Sequence, residues 1–145
     1  MQVSARLHYA CMAMLDLAMH HSADRPVTLR EIVARQNIPQ PFLVQILQTL
    51  RTAGLVFSTR GSSGGYRLAL DPEMISLLDI ATAIGGLGGY GTAGTGDVEE
   101  ENRAAVVLHQ SWNRAEEAAR GILAQTHLSD LVADLRGTPA AMFYI

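Results

Sequence analysis

The chain has 145 residues, 48% of them hydrophobic, a net charge of −3 and one cysteine, Cys11. That is enough for about one domain of ordinary size plus an appendage, and no apolar run reaches the ~18–20 residues needed to span a bilayer. A single cysteine excludes an intramolecular disulfide and an all-thiolate metal site within one subunit; with no basic-then-apolar leader, a cytoplasmic protein without a membrane partner is expected.

Leu7, Cys11, Met14, Leu15 and Ala18 recur at helical spacing, so residues 4–20 read as a first amphipathic helix. His20 and His21 are placed to meet its terminal carbonyls. A second helix starts at Thr28, where Thr28 and Glu31 form a T-x-x-E capping box, and ends near Gln36. Asn37, Ile38 and Pro39 break the pattern, and a third helix spans Gln40 to Ala53. Its Leu43, Ile46, Leu47 and Leu50 share one face; Gln40, Gln45, Gln48, Arg51 and Thr52 lie largely elsewhere. Gly54 suits a helix C-terminal cap. Leu55–Thr59 and Tyr66–Leu70 are short β-prone runs around a glycine- and serine-rich tip, a hairpin. Asp71 and Pro72 make an exit turn, and Ser76–Ile84 reads as a fourth helix.

Residues 85–96 carry seven glycines in twelve positions and read as a loop without a core of its own. A nucleotide-binding reading of those glycines lacks the strand before and the capped helix after that it requires. Beyond it, Glu99, Glu100 and Glu101 suit the positive end of a long helix reaching Thr126. Leu108, Trp112, Ala115, Ala119 and Ile122 step by 4, 3, 4 and 3, a period-3.5 seam for pairing of helices. At about 28 residues this helix would be roughly 40 Å long. Leu128, Leu131, Val132 and Leu135 indicate a last short helix before an apolar tail, Ala140–Ile145.

The expected fold is therefore mainly α with a small β-hairpin: a winged helix-turn-helix over 1–84, a glycine-rich loop over 85–98, a long dimerisation helix over 99–126, and a C-terminal helix with tail over 127–145. Charge is divided the same way. Residues 1–70 hold seven arginines against three acids, a net +4, whereas residues 71–145 hold four arginines against eleven acids, a net −7. Every basic residue is arginine, whose planar fork suits phosphates and guanine edges.

In a helix-turn-helix the second helix enters the major groove and a wing follows the adjacent minor groove or backbone. Thr28, Gln40, Gln45, Gln48 and Arg51 are then candidates for base and phosphate contacts, and Arg60, Ser62, Ser63, Gly64, Gly65 and Tyr66 for wing contacts. Any one of these glutamines is equally a solvated side chain; the set in this order points to DNA. No Ser-His-Asp grouping, nucleotide loop or pair of carboxylates in a recognisable setting points to an enzyme.

Four segments carry a resemblance: RLHYACMAMLDLA from Arg6 to Ala18, TLREIVARQ from Thr28 to Gln36, LRTAGLV from Leu50 to Val56, and RGSSGGYRL from Arg60 to Leu68. Together they resemble the Rrf-two family of bacterial regulators, over residues 1–86 and again from Leu108 to Val132. The Arg-Gly-x-x-Gly-Gly-Tyr wing is the most specific motif. The resemblance implies a homodimer that binds an inverted or imperfect repeat in promoters, usually as a repressor.

The departures carry information too. Members that sense iron, redox state or nitric oxide typically have three cysteines between the fourth helix and the long helix; here the glycine-rich loop stands there, so a conventional three-cysteine iron-sulfur cluster is not expected. Val44 stands where some relatives carry an acidic residue, and Pro39 and Pro41 replace residues that are often serine. His109 matches a cluster-ligand position in one branch, and His8 a position that supplies a carboxylate ligand in others. The resemblance thus leaves open a residual effector site at His8, Cys11 and His109, holding a transition metal or a cluster with few cysteine ligands. The leading reading is a repressor answering to an effector protein, a small molecule or a thiol event at Cys11; that residual site and an interaction module that has lost DNA binding are the alternatives.

Overall fold

The computed structural model describes residues 1–87 and 102–137. In chain order the elements are α1 (Ala5–Met19), α2 (Leu29–Gln36), α3 (Gln40–Thr52), β1 (Val56–Thr59), β2 (Gly65–Leu68), a 3-10 turn (Pro72–Met74), α4 (Leu77–Ile84), α5 (Arg103–Gln125) and α6 (Leu128–Gly137). This is a winged helix-turn-helix followed by a long helix.

Local chemistry sets most of the boundaries. The Ser4 hydroxyl accepts the Leu7 amide at the start of α1. At the start of α2 the Thr28 hydroxyl accepts the Glu31 amide at 3.2 Å while Glu31 Oε2 accepts the Thr28 amide at 3.0 Å, the reciprocal capping box. Asn37 ends α2 in the left-handed region at φ 52°, which Asn tolerates better than most residues. After α3, Gly54 takes φ +79° and the Leu55 amide returns to the Leu50 carbonyl, closing the helix end. Ser76 and Asp79 form a second capping box at α4.

α1 runs through the middle of the domain, packed against α3, α4 and α6. Met14 and Leu17 of α1, Ile32, Ile38, Leu43, Ile46, Leu47 and Leu50 of the helix-turn-helix, and Ile75 and Ile80 near α4 are all 2% exposed or less. Leu128 and Val132 of α6 join the same core. Two backbone bonds pin that return: the Leu77 amide donates to the Thr126 carbonyl and the Leu128 amide to the Ile75 carbonyl, both at 2.9 Å. α5 spans 23 residues, about 35 Å, shorter than the sequence reading because Asn102 caps it; Glu99–Glu101, the glycines from 88 onward and the apolar tail lie outside the described residues.

Two polar residues are buried among the described residues, Ser76 in its capping box and Asp16 on α1. Asp16 is 1% exposed, and its two oxygens accept Arg35 Nε and Nη2, both at 2.9 Å, and Gln36 Nε2 at 2.8 Å. His20 donates from Nδ1 to the Asp16 carbonyl at 2.7 Å, as expected of a helix-terminal histidine. His21 departs from that expectation: its Nε2 pairs with Asp71 Oδ1 at 3.2 Å, because the chain turns after α1 and brings the 3-10 turn alongside. Replacing Asp16 with alanine removes the acceptor of a bidentate arginine and an amide and is expected to cost about 2–4 kcal/mol. Urea unfolding followed by circular dichroism reads this as a lower midpoint, and an unchanged midpoint would refute the role given to Asp16.

Candidate nucleic-acid interface

The helix-turn-helix consists of α2, the Asn37–Pro39 turn and α3. Its entry is electrostatically tied down. Arg25 and Glu31 form an ion pair at 2.6 Å, and the Arg25 hydrogen bond, with that from the Thr28 amide, draws the Glu31 carboxyl down to about 2. Its contribution to stability is therefore present above the ordinary glutamate range and is lost only as pH falls toward 2. The Thr28 hydroxyl spends an acceptor lone pair on the cap, and its proton remains available to a phosphate.

On α3 the faces divide as expected, except that Phe42 and Val44, 50% and 43% exposed, lie outside the buried stripe. Leu43, Ile46, Leu47 and Leu50 are at most 1% exposed, and Gln40, Gln45, Gln48 and Arg51 are exposed. Arg51 donates to the Ser58 hydroxyl at 3.1 Å, joining the C-terminal end of α3 to the base of the wing. On the opposite flank Arg6 donates to the Thr49 hydroxyl at 3.2 Å, and Phe42 meets Tyr9 edge-on at 6.2 Å between ring centroids.

The wing pairs Val56 with Leu68 and Thr59 with Gly65 in an antiparallel register. A third segment completes it: Val27 and Tyr66 exchange both backbone bonds, at 3.0 and 2.7 Å. Arg60, Ser62 and Ser63 are exposed at the tip, whereas Gly64, Gly65 and Tyr66 are half-buried. The two glycines have an inward role that the sequence reading did not assign. A Cβ on Gly64 would run into the Thr59 carbonyl, and one on Gly65 into the Val27 carbonyl, so only glycine lets the strand lie this close.

The contacts sort the arginines. Of the seven arginines in the first half, Arg35 is committed to Asp16, Arg25 to Glu31, and Arg67 to the Ala23 carbonyl at 3.0 Å. Arg30 and Arg60 are the two exposed arginines there without an ion-pair or hydrogen-bond partner among the described residues. Asp16 and Arg35 are the residues that sequence reasoning missed. The available signal was an aspartate inside the apolar stretch AMLDLAM, a pattern that needs a buried partner.

Within one protomer the candidate effector residues His8, Cys11 and His109 do not form a group able to hold a metal among the described residues. His8 is exposed and Cys11 half-buried on α1, and burial pushes the Cys11 thiol up to about 11, leaving it protonated at neutral pH. His109, half-buried on α5, has a fully buried Nδ1 with no hydrogen-bond partner among the described residues. Among the described residues no group of three or more His, Cys, Asp or Glu could hold a metal. Along α5, Leu108, Trp112 and Ile122 are 56%, 48% and 67% exposed, and no residue of the helix is buried. Ala115 beside them is exposed and Ala119 half-buried. No helix among the described residues is long and apolar enough to cross a membrane.

Residues 3–134 match the Rrf2 family, described as an iron-dependent transcriptional regulator. The chain belongs to the Rrf2 family. It is 33% identical to the HTH-type transcriptional regulator CymR of Bacillus subtilis over the whole of both chains. The structure of that global cysteine regulator superposes with a TM-score of 0.75 over 92% of this chain and 97% of the other. An IscR from T. potens matches at 32% identity and a TM-score of 0.77, covering 99% and 97% of the two chains. The Synechocystis HTH-type regulator slr0846 is 44% identical over 84 residues, 58% of this chain and 56% of that protein. Rrf2 membership makes the chain a DNA-binding transcriptional regulator. The iron in the family's description is not matched by a three-cysteine donor set: the chain has one cysteine, Cys11, half-buried on α1.

Proposed function

We propose that this Rrf2 regulator acts in the cytoplasm as a homodimeric, sequence-specific repressor of promoters carrying an inverted or imperfect repeat, and that it does so without a three-cysteine cluster. The observation that supports this best is the exposed row of Gln40, Gln45 and Gln48 on α3 beside an exposed, unpaired Arg60 on the wing. Glutamine pairs bidentately with adenine in the major groove, at about 1–3 kcal/mol of discrimination per good pair. Thr28 and the first amides of α2 face a phosphate, since a helix N-terminus favours an anion. Arg51 braces α3 against the wing and adds charge at the backbone. Arg60, Ser62 and Ser63 follow the phosphates or the minor groove, and Gly64, Gly65 and Tyr66 hold the wing in the shape that presents them.

The second copy is read from α5. An exposed apolar row at period 3.5 on a helix with no buried residue is what a two-helix seam leaves uncovered in one protomer. Leu108, Trp112, Ala115, Ala119 and Ile122 then form the core of the dimer, and two recognition helices face two half-sites. The signal comes through an effector protein or a small molecule. A thiol event at Cys11 is disfavoured by its protonated state. A second reading rests on the orphaned His109 Nδ1: His109 and His8 as ligands of a transition metal or of a cluster with few cysteine ligands.

Selection of sites from a random duplex pool, followed by binding at several salt concentrations, tests the contacts. Arg60→Ala should weaken binding to all sequences and flatten the salt dependence by about two units of slope, one for each protomer, whereas Gln45→Ala should relax preference at one base pair per half-site. Unchanged binding in both variants refutes the interface. Trp112→Glu should convert the dimer to monomer by light scattering, and a variant that stays dimeric refutes the seam. Protein purified without oxygen should bind its selected site while metal-free and colourless. Stoichiometric metal that His109→Ala abolishes would instead establish the second reading.

A further inference from the structure

We propose that Val44 reads the 5-methyl group of a thymine in the major groove, so that each half-site carries a preferred thymine beside the adenines read by glutamine. This inference rests on the DNA-reading function proposed above. The other aliphatic residues of α3, Leu43, Ile46, Leu47 and Leu50, are at most 1% exposed, and Val44 is 43% exposed. Steps of four along a helix stay on one stripe. Val44 therefore lies in the row Gln40, Val44, Gln48, Thr52, the one apolar member of an otherwise polar line.

An exposed, β-branched residue there serves neither the core nor the helix, because valine is a weaker helix former than the glutamines around it. Phe42, also exposed, is accounted for differently: it lies two residues away, about 200° round the helix, and packs edge-on against Tyr9. Val44 is on the flank that carries Gln40, Gln48 and Arg51. In the major groove a glutamine reads adenine N6 and N7, and the same A·T pair displays the thymine methyl as its only apolar feature. A branched apolar side chain between two glutamines is the complement of that pattern. Thymine differs from uracil in this methyl group alone, so the contact can be removed from the DNA side without disturbing any hydrogen bond.

The test uses the full chain and the duplex selected from a random pool, with each thymine replaced in turn by deoxyuridine, and Kd measured by fluorescence anisotropy for the wild type, Val44→Ser and Val44→Ile. One thymine per half-site should be sensitive. Its replacement should weaken wild-type binding about fourfold per half-site, the worth of one buried methyl group. Val44→Ser should bind the thymine and uracil duplexes alike, and Val44→Ile, which keeps the apolar reach, should retain the discrimination. Because Val44 is exposed, all three proteins should show the same circular dichroism spectrum. Wild-type protein that tolerates uracil at every position, or a loss of equal size in Val44→Ser, overturns the assignment while leaving the DNA-reading function intact. A pool from which no sequence is enriched overturns that function and the assignment together.

Discussion

The Asp16 carboxylate holds the reading head to the body of the protein. α2 is eight residues long, too short to be stable as an isolated helix, and fully buries Ile32 alone, with Leu29 and Val33 partly buried against the core. Its two ends are held by polar chemistry: the Thr28–Glu31 box at the start, and Arg35 and Gln36 on Asp16 at the finish. A buried ion pair is a poor source of net stability, since desolvating the charges offsets much of their attraction. Here the cost is reduced because Arg35 keeps 36% of its side chain exposed while Asp16 alone is withdrawn from water. What the arrangement supplies is geometry. Bidentate pairing at 2.9 Å allows one approach angle between α1 and α2, and the left-handed Asn37 then turns the chain into α3, so the direction of the recognition helix follows from a carboxylate on its far side.

That commitment also sorts the arginines. Arg35 and Arg25, paired with Asp16 and Glu31, are spent on the architecture of the helix-turn-helix, whereas Arg6, Arg30, Arg51, Arg60 and Arg67 make no ion pair among the described residues and keep their charge. The net +4 of the first half already subtracts the paired acids, so counterion release stays available to DNA binding, and the uncharged glutamine row of α3 adds base-edge reading to it.

Much of the fold was legible because its signals are local. A capping box lies within four residues, an Asn-Ile-Pro break within three, and the apolar face of α3 within two turns, so α2, α3 and the wing fall within a residue or two of where the sequence places them. The family resemblance was legible for the same reason, since the Arg60–Leu68 motif is contiguous. The Asp16–Arg35 pair spans 19 residues, and nothing in either neighbourhood names the other. The glycines of the wing were read outward, toward a ligand, because a sequence does not show that the Val27 backbone closes over them. The return of α6 was equally hidden: Leu128 and Val132 announce an amphipathic helix but not the core it completes.

α5 is fastened at one end, packs on α4, and leaves Leu108, Trp112 and Ile122 of its seam exposed. The paired backbone bonds between residues 75–77 and 126–128 fix its C-terminal end to the start of α4, which itself packs on α1 and α3. No side chain of α5 is buried, so its course beyond that anchor depends on whatever covers the exposed seam. If a second copy covers it, as proposed, the crossing of two such helices sets the distance between two reading heads that are each rigid. Half-site spacing then becomes the quantity a signal can change, because moving the seam requires no unfolding of either winged domain.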